Sequence, residues 1–285
     1  MHTHNRRHFL RLLGGSIAGA WLGAGGEKRL ESAPLGPARA PAERPGVPVF
    51  MYHTTRWQNL TTDQFQEQMR ILHELGFRTL TFHGLRGYLQ QGIVPRGRVI
   101  ITFDDVANYA GGHAKDYMHG PFGDFWLNAF PTLQRYGFTA VLGVVTGLMP
   151  EEGEGWDWKK LRFLSGLSYE LASHSVTHSY EMIGRPAWLT REEFGTEFSA
   201  SRNKIEQECG IAPITYIWPF GSVRYKDVAA QLYPVLVTEA EAGPITGAAQ
   251  LQRVPRYHPD LHVGDGFRQL MLPFREPGHS AARAR

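Results

Sequence analysis

The sequence predicts an α/β fold in which six or seven βα units close into a parallel barrel. Three observations carry that expectation. From Val47 onward, short apolar runs alternate with segments of helical periodicity, the pattern of βα units around a parallel sheet. The 285 residues, 42% of them hydrophobic, suffice for one large core and sit at a length that α/β barrels reach. The residues capable of chemistry also collect where apolar runs end, which is where such barrels carry their sites.

Taken in order, "VPVFMYH" is a short strand ending in His53. "TTDQFQEQMRILHELGF" follows as a helix with Phe65, Met69, Leu72 and Leu75 on one face, Thr61 and Gln64 as its capping box and Gly76 as its stop. "RTLTF" and "RVIITF" are the next strands, with a helix over "FHGLRGYLQQG" between them. A short helix, "FPTLQRYGF", feeds the strand "TAVLGVVT", and "YELASHS" is another strand. Thr190 with Glu193 caps the long helix "REEFGTEFSASRNKIEQECG". "ITYIWPF", a helix near "YKDVAAQLY" and the strand "PVLVT" complete the alternation.

The net charge of +3 conceals an uneven distribution. Residues 1–46 hold seven Arg or Lys against three Glu, a balance of +4, which leaves −1 for the rest. A nearly neutral globular part has no basic stripe suited to phosphates, so nucleic acid is excluded as a partner class. The basic start pairs Arg6-Arg7 with Phe9-Leu10 and a Gly/Ala-rich run to Gly26, which reads as a twin-arginine export signal over 1–26. The run is shorter and less apolar than the ~20 residues of a membrane span. Periplasmic or extracellular residence is therefore expected, with no stable span after signal removal. Residues 27–46 read as a Pro/Ala-rich linker, 47–272 as the folded domain and 273–285 as a flexible tail. Cys209 is the single cysteine, which rules out an intrachain disulfide and fits a small packed hydrophobe.

The chemistry starts from a puzzle in "VIITFDDVANY". A buried strand runs straight into two carboxylates, Asp104 and Asp105, which repel each other and resist desolvation. His174 and His178, in "ASHSVTH", lie four residues apart on one side of a turn. With a carboxylate from another strand end they supply two nitrogens and one oxygen, a donor set for Zn²⁺ or a similar divalent ion. Such a cation resolves the puzzle: one Asp becomes a ligand, and the other stays ionised beside it and can act as a base.

"ITFDD", "ASHSVTH" and "WPFG", in that order, resemble the motifs of the polysaccharide deacetylases (NodB homology, carbohydrate esterase family 4). The opening "PVFMYH" and the spacing to "FQEQMRILHELGF" are most similar to the branch acting on poly-β-1,6-N-acetylglucosamine. The resemblance spans roughly 47–272 and implies a distorted (β/α)7-type barrel. It further implies Asp104 as catalytic base, and Asp105, His174 and His178 as ligands of one divalent metal, zinc before cobalt, nickel or iron. Pro219 and Phe220, with Trp218 beside them, match the wall of the acetyl pocket. His53 matches the general acid, which that branch displaces to the first strand. His258 and His262 are its rivals, because they fall where the wider family keeps its acid.

The sequence also departs from the family pattern. Val106 stands where Gly usually follows the second Asp, and residues 107–129 form an insertion that either covers the site, touching sugar through Tyr109, Phe125 or Trp126, or packs on the surface. The family's Arg before the Pro-aromatic turn is not evident, which leaves open what holds Asp104. The implied activity is removal of N-acetyl groups from an N-acetylhexosamine polymer, the polysaccharide being the expected partner. Peptidoglycan, acetylxylan or a small amide as substrate, or an inactive barrel that binds polysaccharide, are the alternatives.

Overall fold

Parallel pairing runs through every strand contact of the sheet, as the alternation requires. The architecture is that of a computed structural model, which describes residues 44–56, 58–108, 121–185, 187–239 and 242–278. The chain divides into two units, Met1–Ala40 and Pro41–Arg285, and all described residues belong to the second. The export signal, most of the linker and Tyr109 lie outside them.

Strand β1 (Val49–Tyr52) leads to helix α1 (Thr62–Glu74), whose capping box between Thr61 and Gln64 is formed as expected. A two-residue strand β2 (Arg78–Thr79), helix α2 (Phe82–Gln90) and the long β3 (Arg98–Val106) follow. The end of the insertion forms α3 (Pro121–Asp124) and a π turn (Phe125–Ala129) that run on into α4 (Phe130–Arg135). Next come β4 (Val141–Val144), α5 (Trp158–Gly166), β5 (Glu170–Ser173) and α6 (Arg191–Cys209), the last capped by Thr190 and Glu193. β6 (Thr215–Ile217), α7 (Lys226–Leu232), β7 (Val235–Val237) and α8 (Asp265–Met271) complete the set. The sheet order is β1-β3-β4-β5-β6-β7, with β2 beside β3. Past β7, Val254 bridges to Val237 and Tyr257 bridges to Phe50, both in parallel sense. One short segment thus joins the last strand to the first.

Strand alternation sorts the apolar residues into layers. Val49, Ile100, Val141, Ala172, Ile217, Val235 and Val237 form one cluster, to which α2 adds Phe82, Leu85 and Leu89. Their strand neighbours Phe50, Tyr52, Ile101, Phe103, Leu142 and Val144 pack in a second cluster with residues of α1, α5 and α8. Tyr216, Trp218 and Leu236 pack against α6 and α7 in a third.

The packed chain reaches further at its end than the sequence suggests. Phe274 is buried, its carbonyl accepts from the Gly97 N–H, and the Arg44 N–H donates to the Pro273 carbonyl. Residues 273 and 274 therefore belong to the fold rather than to a tail. Cys209 is half-buried, and burial pushes its thiol up to about 11. Among the described residues, no helix is long and apolar enough to cross a membrane.

Candidate active site

A regular strand would turn Asp104 and Asp105 to opposite faces. β3 avoids this by bulging. Its register against β4 slips between Phe103 and Val106, and Asp105 adopts φ 58°, in the left-handed region. Gly143 sits opposite the bulge. A Cβ there would lie 3.3 Å from Ile217 Cδ1, 3.4 Å from the Asp104 Cα and 3.5 Å from His174 Cβ, so glycine leaves the strands room to approach closely at the bulge.

The bulge delivers Asp105 to the two histidines. Its Oδ1 lies 3.3 Å from His174 Nε2 and 3.1 Å from His178 Nε2. His174 is buried, and its Nδ1 is 2.8 Å from the Ile217 carbonyl. A carbonyl can only accept, so Nδ1 donates to it; Nε2 is then a donor to Asp105 when the ring is protonated and a lone pair open to a cation when it is neutral. His178 rides on a turn in which Ser175 (φ 72°) and His178 itself (φ 50°) are both left-handed, and its N–H donates to Ser175 Oγ at 2.9 Å. Such backbone outliers persist where the surroundings over-determine them.

Glu197, on α6, supplies much of that determination. One carboxylate oxygen accepts the N–H groups of Val176 (2.7 Å) and Thr177 (3.0 Å), and the other accepts the Thr177 hydroxyl (2.9 Å). Replacing Glu197 with Ala is expected to weaken divalent-metal affinity about 10–100-fold by releasing the His178 turn. Metal titration of the purified variant checks this, and an unchanged affinity would remove Glu197 from the site.

Burial opposes ionisation of Asp105, but hydrogen bonding with His174 and His178 outweighs it and holds the carboxyl well below the usual carboxylate range. Burial likewise works against a charged His174, yet Asp105 and the nearby Asp104 charge raise its pKa. The cluster is thus built to hold positive charge. Burial lowers the pKa of His53, partly offset by Asp104 and Asp105.

Asp104 is clamped from a direction the motifs do not reveal. Arg256, almost fully buried and set between the two bridges that join β7 to β1, donates to Asp104 Oδ1 at 2.8 Å. Its other bonds go to Thr102 Oγ1 (2.9 Å) and the Thr238 carbonyl (2.9 Å). This supplies the cation sought before the Pro-aromatic turn, from a position 152 residues downstream of Asp104.

His53, just past β1, points its Nε2 at Asp105 Oδ2, 3.8 Å away. The loop that follows it is fixed by the insertion. Buried Asp124 accepts the Thr55 N–H (2.5 Å) and hydroxyl (2.7 Å) and the Asn128 side-chain amide (2.9 Å). Of the rivals, His262 has its ring near Tyr257 (6.0 Å between centroids) and its carbonyl bonded to Gln68.

The aromatic expectations are partly corrected. Trp218 is 1% exposed and meets Phe198 and Tyr216 edge-on, because strand parity turns it outward, away from Ile217 and into the α6–α7 layer. It serves the core, not a sugar. Pro219 is buried, whereas Phe220 is 36% exposed, left-handed (φ 55°) and 4.4 Å from the His178 ring. Phe125 is buried among Phe103, Trp126 and Trp156, so the described end of the insertion packs rather than faces sugar. Trp156 and Trp158 are likewise core residues.

The family model for polysaccharide deacetylase matches residues 91–233, half of the chain, and this match takes in β3, the bulge and both histidines. The chain belongs to the polysaccharide deacetylase family. Its fold matches solved structures of low sequence identity. The deacetylase PplD of Streptococcus pyogenes, in complex with acetate, is 21% identical, with a TM-score of 0.63 over 81% of this chain and 99% of that one. IcaB from Ammonifex degensii is 16% identical, with a TM-score of 0.62 over 82% and 99%. The deacetylase domain of BpsB from Bordetella bronchiseptica is 19% identical, with a TM-score of 0.53 over 76% and 97%. No curated protein sequence matches the chain significantly. The divalent ion that the family implies fits the donor set. Asp105, His174 and His178 bring ligand atoms within 4.8 Å of one another, and the tautomer of His174 leaves a ring nitrogen available.

Proposed function

We propose that this polysaccharide deacetylase is an exported, metal-dependent N-deacetylase of an N-acetylhexosamine polymer, with poly-β-1,6-N-acetylglucosamine as the leading substrate. The observation that carries this reading is the approach of His53, at the end of the first strand, to the Asp105 cluster. That position matches the front-of-chain acid implied by the resemblance to the branch acting on poly-β-1,6-N-acetylglucosamine. The twin-arginine pattern around Arg6-Arg7 supports export.

Asp105, His174 and His178 would hold the ion, with zinc the default for two imidazoles and a carboxylate. When bound, a divalent cation supplies Lewis-acid polarisation of the amide carbonyl and acidifies water. Asp104, oriented by Arg256, takes the proton of the attacking water on its carboxylate. His53 gives a proton to the departing sugar nitrogen, which otherwise leaves poorly. The bonds from Thr55 to Asp124 fix the loop just after His53 and so keep its ring beside the cluster for that transfer.

The test is acetate release from β-1,6-linked N-acetylglucosamine oligomers, with peptidoglycan fragments and acetylxylan alongside, before and after removal of metal. Release from the β-1,6 oligomers that vanishes on chelation and returns with a divalent ion is the expected result. Release from another substrate alone would move the assignment to it. A protein that binds no divalent ion would overturn the metal-dependent reading.

A further inference from the structure

Beyond the metal cluster, a row of aromatic rings leads outward along the C-terminal face of the barrel. The His178 ring lies 4.4 Å from Phe220, and Phe220 stacks on Tyr180 at 5.2 Å with 22° between the ring planes. Tyr180, at the start of the short helix that follows the His178 turn, is 63% exposed. Its short helix ends at Gly184, whose φ of 75° and contact with the Trp188 ring leave no space for a Cβ. Trp188, 48% exposed, is covered on one face by the Arg224 guanidinium, 4.6 Å from the ring centre. The loops after β5 and β6 thus meet through two contacts, the Tyr180–Phe220 stack and the Arg224–Trp188 pair.

Large aromatic faces left in water at a fixed tilt are costly, and they mark binding surfaces when they adjoin a site. Phe220 even holds a left-handed backbone while keeping its ring there. The apolar C–H face of a pyranose is the ligand chemistry that fits a flat, exposed, uncharged ring beside a polysaccharide-processing centre. Resting on the reading above, we infer that Tyr180, backed by Phe220, is a subsite for a sugar unit neighbouring the one that is deacetylated, so that the enzyme prefers polymer over short fragments.

The test compares wild type with Tyr180→Ala and Tyr180→Trp on a dimer and a hexamer of N-acetylglucosamine, in β-1,6 and β-1,4 linkages. Binding is measured by calorimetry in an Asp104→Asn background, where sugar is not turned over, and kcat/KM is measured with Asp104 intact. Tyr180→Ala is expected to weaken hexamer binding and kcat/KM about tenfold, chiefly through KM, with a smaller loss on the dimer. Tyr180→Trp is expected to preserve the length preference. Equal losses on dimer and hexamer, no loss on either, or no hexamer binding by any form would overturn the subsite. Tyr180-dependent hexamer binding without acetate release would keep the subsite and overturn the deacetylase reading. Acetate release indifferent to Tyr180 would do the reverse.

Discussion

Asp104→Asn is expected to lower kcat for acetate release by about 10²–10⁴-fold while the protein still takes up its metal. The substitution keeps the shape of the side chain and an oxygen to accept from Arg256. What it removes is the ability to take a proton. Asp105, the carboxylate placed against His174 and His178, is untouched by the change. Metal content and turnover therefore separate in this variant, and both are measured on one preparation. A metal-loaded Asp104→Asn protein that retains more than about a tenth of the wild-type kcat would rule out Asp104 as the base. Loss of metal together with activity would instead show that Asp104 shapes the ligand cluster.

How this site could be read from sequence differs residue by residue. The capping boxes at Thr61 and Thr190 and the apolar runs of β1, β3 and β4 are local signals, so they and the parallel order were legible. The cluster was legible for the same reason: each ligand sits at a strand end, and strand ends in a parallel sheet converge. The bulge was not, because Asp105 in a left-handed conformation has no marker in "TFDD" beyond the oddity of two carboxylates in a row. Trp218 was misplaced for want of one parity step. Once Ile217 faces inward, its neighbour must face out, but the sequence alone does not say which of the two does so. Arg256, Glu197 and Asp124 were missed because each acts on a segment distant in sequence. In "RVPRYHP" the visible hint is Arg256 set between Val254-Pro255 and Tyr257, and only the joining of β7 to β1 shows where it points.

Arg256→Met is expected to destabilise the fold by about 3–5 kcal/mol, the cost of leaving a buried charge without its partner. Asp104 is 3% exposed and cannot recover its lost bond from bulk water. The Thr102 hydroxyl and the Thr238 carbonyl lose a donor at the same moment. At roughly 2–4 °C per kcal/mol for a chain of this size, the melting point should fall by about 6–20 °C. A double-mutant cycle with Asp104→Asn separates the causes. A neutral amide beside the introduced thioether carries no unpaired charge, so the double variant should be more stable than the sum of the single losses allows, by more than about 1 kcal/mol. Recovery should stay incomplete, because Thr102 and Thr238 remain without the guanidinium. Additive losses would mean that Arg256 matters for packing and backbone bonding alone, and that Asp104 is held in place by other groups. In the mechanism proposed above the base must be ionised, although Asp104 is buried. The guanidinium between the joined edges of the barrel supplies the balancing charge through its bond to Asp104 Oδ1.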